Sequence, residues 1–121
     1  MKIVKMIEGK SFDMGPGDTK CVIGPHTGAK HLTFNYAVFK PGQAFKQHIH
    51  EYSEDLIIVL EGDGVIKLDD KEFPIEKGDL IHVAVGEYHG TVAGPNGMIA
   101  CSCQAPIDKA LYRGVSQPQN Q

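Results

Sequence analysis

Residues 42–62 read GQAFKQHIHEYSEDLIIVLEG, and this stretch decides the fold because two histidines, His48 and His50, stand two positions apart in it. Side chains alternate between the two faces of a β-strand, so residues i and i+2 point the same way. On an α-helix the two side chains would diverge by about 200°, because each residue turns the helix by about 100°. The spacing therefore predicts a metal-binding pair on a β-strand.

Short β-like runs recur along the whole chain. They are rich in β-branched and aromatic residues, and clusters of Gly, Pro, Asn and Asp separate them. No segment keeps a helical period over about eleven residues. We expect hairpin or loop turns at Gly62-Asp63-Gly64 and at Pro95-Asn96-Gly97. About ten short strands are predicted, which favours an all-β sandwich or barrel; they lie at residues 3–7, 20–23, 31–40, 44–50, 55–61, 65–68, 73–75, 80–85, 90–93 and 98–104.

The composition is that of a globular protein with one domain over residues 1–121, whose polar end at 116–121 is expected to fray. At this length roughly two-thirds of the unfolded chain's surface can be buried without disulfides. The net charge of -3 gives no reason to expect nucleic acid or an anionic membrane as a partner. No run approaches the ~20 apolar residues of a membrane span, and the N-terminus does not resemble a signal peptide. The odd number of cysteines, 3, favours reduced thiols and a cytoplasmic location.

A second stretch, residues 78–93, reads GDLIHVAVGEYHGTVA and supplies a third histidine, His89. Together the two stretches resemble the two signature motifs of the cupin superfamily. Two departures stand out in the second motif, since Ala84 occupies the usual place of Pro and Ala93 that of Asn. The positions that match the two motifs are Gly42, His48, His50 and Gly62 in the first, and Gly78, Gly86 and His89 in the second.

The resemblance implies a small double-stranded β-helix, that is, a jelly-roll-like cupin barrel. It also implies a divalent transition metal held inside the barrel by His48, His50, Asp55 and His89. Neutral imidazoles bind divalent first-row metals well, and a carboxylate adds charge compensation. Such a ligand set would leave up to two positions of a six-coordinate ion for substrate, water or dioxygen. Fe, Mn, Ni and Zn all tolerate it, so the identity of the metal stays open.

The carboxylate is the main departure from the family pattern, because Asp55 stands where Glu is usual. Its shorter side chain leaves three outcomes open: direct ligation, contact through water, or a three-histidine site that Asp55 only supports. Glu54 is an alternative, but choosing it would send the following run to the other face of its strand. We therefore favour Asp55. Lys46 alternates with His48 and His50, so it either points into the barrel toward an anionic group or is solvated at the barrel mouth.

The predicted function is that of a metal-binding cupin acting on a small molecule, as a dioxygenase, an isomerase or a lyase, since one barrel supports many reactions. The sequence identifies no general base. Two alternatives are a cupin that binds or senses a small ligand without turnover and a cupin without metal. The run Leu56–Leu60 is apolar on both faces, so one face is expected to fill the barrel and the other to be covered. By resemblance to the family, the cover would be a second copy in a homodimer.

Overall fold

The computed structural model describes residues 1–11 and 18–109. Within these residues the regular secondary structure is β-strand, apart from one 3-10 turn at Pro25–Thr27. The strands are β1 (Lys10–Ser11), β2 (Asp18–Ile23), β3 (Thr33–Phe39), β4 (Ala44–His48), β5 (Glu54–Leu68), β6 (Lys71–Glu76), β7 (Leu80–Val83) and β8 (His89–Ala105). The all-β prediction is confirmed.

Two long strands, β5 and β8, organise the sheet, because each changes partners along its length. The first part of β8 pairs with β4 and its later part with β3. The first part of β5 pairs with β7 and its later part with β6. β5 and β8 also pair with each other, and every pairing is antiparallel in the order β1-β2-β3-β8-β5-β6. The result is the two-layered jelly roll of a double-stranded β-helix, with a cavity between the layers.

Glycines bend these two strands where the sequence predicted turns, so both turn predictions are wrong. Gly62-Asp63-Gly64 does not close a hairpin, because the strand continues to Leu68 with a shift of register between Gly62 and Gly64. Gly62 has a φ of 79°, and a Cβ there would overlap the carbonyl oxygen of Gly97 on the neighbouring strand. Residues 95–97 likewise lie within β8. The glycines therefore permit a bulge and a close approach of two backbones instead of a reversal of the chain.

The N-terminal segment also differs from its prediction. Residues 3–7 form no strand, because nothing among the described residues pairs with them, and a strand needs a hydrogen-bonded neighbour. Ile3 is 90% exposed, whereas the Met6 sulfur lies 3.5 Å from the Cys101 thiol. The frayed end predicted at 116–121 lies outside the described residues. In the part of the chain that is described, no helix is long and apolar enough to cross a membrane.

The apolar core fills one part of the space between the layers. It is built from inward-facing residues of β3, β5, β6, β7 and β8, and Phe45 and Ile81 pack against its edge. The remaining space is a cavity of about 60 Å³ whose lining is partly polar. The buried core consists of Ala37, Phe39, Ile57, Val59, Ile66, Ile75, Val83, Ala93, Met98 and Ala100.

Candidate metal centre

Strand pairing brings the three motif histidines together in the cavity. His48 ends β4 and is the register partner of His89, which begins β8. His50 follows β4 by two residues, and its side chain is only 3% exposed. The Nε2 atoms of His48 and His50 lie 3.1 Å apart, and the donor atoms of all three histidines lie within 4.8 Å of one another. The structure therefore brings together the three histidines that the sequence singled out, and their role as metal ligands stays a prediction.

Each of the three rings is oriented by an oxygen that accepts a hydrogen bond from its Nδ1. His48 Nδ1 donates to the Lys46 carbonyl at 2.8 Å, and His89 Nδ1 donates to the Glu87 carbonyl at 2.9 Å. His50 Nδ1 donates to the Asp108 carboxylate at 3.2 Å. A neutral imidazole that donates from Nδ1 carries its lone pair on Nε2. The three hydrogen bonds therefore fix the tautomer in which the Nε2 lone pairs can bind a metal.

Asp55 is the carboxylate that faces this cluster, as the sequence favoured. Its Oδ2 lies 3.8 Å from the Nε2 of both His50 and His89. Glu54 points the other way on β5, where its carboxylate accepts a hydrogen bond from His82 at 2.7 Å on the exposed surface. The alternation of side chains along a strand explains why two neighbouring carboxylates reach opposite faces.

The residues of the cluster fit a divalent metal. His89 Nε2 and Asp55 Oδ1 are buried and have no hydrogen-bond partner within residues 1–11 and 18–109. Leaving such atoms without a partner is costly. The separation of 3.1 Å between His48 Nε2 and His50 Nε2 is also close to the roughly 3.0 Å that two bonds of about 2.1 Å make at a right angle. A cation coordinated by these atoms would satisfy them all.

Burial and neighbouring groups shift the pKa values of two of the histidines in opposite directions. Burial is the largest effect on His48 and lowers its pKa below the ordinary value, which favours the neutral ring. Burial also acts to lower the pKa of His89, but the nearby Asp55 carboxylate and the hydrogen bond to the Glu87 carbonyl together outweigh it and raise the pKa. Without a metal, Asp55 and His89 therefore interact most strongly when the imidazole is protonated.

Sequence reasoning missed two residues of the site. Gln104 is 2% exposed, and its side-chain amide donates to His50 Nε2 at 3.0 Å. Asp108 orients His50 from the segment that follows β8. The register of β5 and β8 places Gln104 opposite Asp55, but no sequence motif predicts this pairing. Asp108 carries no local signal, because a contact across 58 positions depends on the path of the chain after β8.

Lys46 is solvated, so the barrel-mouth alternative is the correct one. It is exposed and does not line the cavity, whereas Phe45 does. The pairing of β4 with β8 shifts register between Phe45 and His48, which breaks the simple alternation that put Lys46 beside the histidines.

The fold and the cluster define a small jelly-roll barrel with imidazoles converging in its cavity. The family model of the cupin domain matches residues 35–97, and the chain belongs to that family.

Relatives and solved structures agree with this assignment. The chain is 30% identical over 74 residues to the polyketide synthase protein CurC of Streptomyces cyaneus, covering 60% of this chain and 48% of that protein. It is 31% identical over 75 residues to the dimethylsulfoniopropionate lyase DddW of Ruegeria pomeroyi, covering 62% and 49%. The chain thus spans about half the length of the curated relatives it matches. The solved polyketide cyclase RemF from Streptomyces resistomycificus superimposes with a TM-score of 0.75 at 27% identity, covering 88% of this chain and 79% of RemF.

Proposed function

We propose that this cupin is a metal-dependent enzyme that acts on a small oxygen-bearing molecule by lyase or cyclisation chemistry. One observation carries the proposal: three imidazoles converge in a cavity through their Nε2 atoms, and each is held by an oxygen acceptor at its Nδ1. Histidines that merely pack would not need three separate hydrogen bonds at Nδ1 that turn all three Nε2 atoms toward one point.

His48, His50 and His89 would hold the metal through Nε2, and the Asp55 carboxylate would complete the set. A bound divalent ion polarises a carbonyl or carboxylate oxygen and stabilises the negative charge that builds there. The lining of the cavity gives the substrate a defined place beside these residues. Phe45 and Ile57 line this place with apolar surface, which would limit the access of water to a bound substrate.

The reaction class is supported by the relatives. One is named a lyase and one solved neighbour a polyketide cyclase. Neither name includes oxidation, so we favour non-oxidative chemistry over a dioxygenase reaction. The cluster itself is compatible with both, because imidazole and carboxylate ligands suit several divalent metals.

The proposal can be tested on the purified chain in two steps. Elemental analysis is expected to find about one divalent metal per chain after reconstitution with Fe(II), Mn(II), Ni(II) or Zn(II). Turnover of a panel of small hydroxy acids, keto acids and sulfonium carboxylates is then followed in air and under argon. We expect the same rate in both atmospheres. Turnover that requires and consumes oxygen would replace lyase chemistry with dioxygenase chemistry, and metal-dependent binding without turnover would favour a sensing protein.

We further propose that the chain forms a homodimer through the outer face of its sheet. Val38 and Leu56 lie on this face, each residue 36% exposed, next to the half-buried Ile58 and Ile99. An apolar surface of this kind is costly to leave in water. Sedimentation equilibrium is expected to give twice the chain mass for the unchanged protein and a monomer for Leu56→Lys. A monomeric unchanged protein at every concentration would contradict the dimer.

A further inference from the structure

The wall of the cavity formed by β2, β3 and β8 carries a group of polar side chains, which includes Gln104 beside the proposed metal centre and extends beyond that centre. We call this group the polar band. Thr19, Asn35 and Gln104 are 5%, 4% and 2% exposed, so all three are withdrawn from bulk water. Its members are Thr19, Asn35, Ser102 and Gln104.

Two atoms of the polar band have unused hydrogen-bonding capacity. Thr19 Oγ1 and Gln104 Oε1 are buried and make no hydrogen bond to any part of the chain that the structure describes. Beside them, the Asn35 side-chain amide donates to Ser102 Oγ at 3.3 Å. Buried polar atoms in folded proteins are normally paired with protein or with a bound molecule. Since none of the described residues supplies a partner for Thr19 Oγ1 and Gln104 Oε1, a molecule inside the cavity is well placed to supply one.

The dimensions limit what that partner is. Gln104 touches the histidine cluster, since its amide lies 3.0 Å from His50 Nε2. Ser102 stands two residues earlier on β8, about 6.6 Å along the strand. The cavity of about 60 Å³ has room for roughly four to six water-sized units of 10–15 Å³ each. A short molecule can thus reach from the cluster to the polar band, whereas a long one would have to leave the cavity.

The charge of the lining limits the partner further. Among the described residues that line the cavity there is no Lys or Arg, and the sole carboxylate is Asp55. A second carboxylate on the ligand would be buried at the polar band without a counter-charge. A hydroxyl, carbonyl or amide group would instead form neutral hydrogen bonds with Thr19, Asn35 and Ser102.

We propose that the polar band is a second binding subsite, which takes a neutral oxygen group of a short ligand whose first oxygen group binds at the histidine cluster. The subsite rests on the proposed metal centre, because the first group is anchored there. It narrows the substrate class to short bifunctional molecules with one group that binds a metal and one uncharged polar group.

Calorimetry on the Ni(II)-loaded protein tests the subsite with matched probes. The hydroxy acids 3-hydroxypropanoate and 4-hydroxybutanoate are compared with propanoate and butanoate, which lack the hydroxyl, and with succinate, which carries a second charge. At least one hydroxy acid is expected to bind about threefold to tenfold more tightly than its matched carboxylate, the range for one neutral hydrogen bond. Succinate is expected to bind more weakly than 4-hydroxybutanoate.

Two threonines provide a matched pair of variants. Both hydroxyls are buried without a partner among the described residues, but Thr19 lines the cavity and Thr33 does not. Thr19→Val is expected to remove the preference for the hydroxy acid, and Thr33→Val to preserve it. Ser102→Ala is expected to reduce the preference as well. A preference that survives both Thr19→Val and Ser102→Ala would show that the metal chelates the hydroxyl, and this would overturn the subsite.

The same titrations separate the subsite from the metal centre. If Ni(II) binds and the probes show no preference for a hydroxyl, the subsite is wrong and the metal centre stands. If no metal binds to the unchanged protein, both proposals fail.

Discussion

The inner and outer faces of the layer built from β2, β3, β8 and the first part of β5 have opposite characters. Inside, Asn35 and Asp55 are 4% and 7% exposed although both are polar. Outside, Val38 and Leu56 are each 36% exposed although both are apolar. A folded chain gains stability by the reverse arrangement. We take the buried polar face as support for the proposed ligand, and the exposed apolar face as support for the proposed homodimer.

Removing a histidine from the inner face is the largest change we predict. His50→Ala deletes one of the three converging donors. Its metal affinity is expected to fall by more than about 100-fold, beyond the range for residues that only orient a ligand. Elemental analysis after dialysis against a weak chelator measures the loss.

His82→Ala is the matched control for this change, because His82 is exposed and pairs with Glu54 away from the cavity. Its metal content should equal that of the unchanged protein. Equal metal retention by His50→Ala and His82→Ala would rule out the three-histidine centre.

Glu54 and Asp55 are adjacent carboxylates on β5 that point to opposite faces, so their variants compare the outer face with the inner face. Asp55→Asn is expected to weaken metal affinity by about 10-fold to 100-fold if Asp55 supports the site, and by more if it is a ligand. Glu54→Gln is expected to leave the affinity unchanged, since Glu54 faces solvent. Competition with a chromogenic chelator gives both affinities. The role of Asp55 would be excluded if the two variants bound metal equally well.

A change at Asp108 tests whether the orientation of the His50 ring affects metal binding when His50 itself is kept. Asp108→Asn retains an oxygen that can accept from His50 Nδ1, but it loses the negative charge. We expect a loss of metal affinity near the lower end of the roughly 10-fold to 100-fold range. Far-ultraviolet circular dichroism should be unchanged, because the Asp108 side chain is 25% exposed and lies beyond the last strand. Affinity equal to that of the unchanged protein would mean that the ring is held by its other contacts.

The sequence was sufficient for the residues whose place depends on local alternation. His48 ends β4 and Asp55 lies on β5, where period two decides the face, and the structure puts both toward the cavity together with His50, which lies just beyond β4. Where a bulge interrupts the period, the sequence left Lys46 open between two alternatives and did not single out Phe45 as a cavity residue. A bulge depends on the neighbouring strand, so it cannot be inferred from one strand alone.

The glycine-rich segments show the same limit on the scale of the fold. Gly62-Asp63-Gly64 has the composition of a hairpin turn. Its glycines instead allow the backbone of β8 to approach closely, because a Cβ there would overlap it. Gln104 and Asp108 were missed for a related reason, since each reaches His50 across more than 50 positions of sequence. Long-range register was therefore the information that the sequence lacked.

The smallest predicted effect concerns the cysteines and tests what covers the outer face. Thiolates react with iodoacetamide, and thiols do not. Burial raises the pKa of Cys101 to about 11, and its thiol contacts Met6 of the N-terminal segment. Cys103, two residues away and partly exposed, also has a raised pKa, through burial and the charge of Asp55. At pH 8 we expect mass spectrometry to find Cys103 alkylated before Cys101. Equal rates would show that the N-terminal segment leaves Cys101 open to the reagent. If the labelling of Cys103 slows as the protein concentration rises, a second copy of the chain covers the outer face.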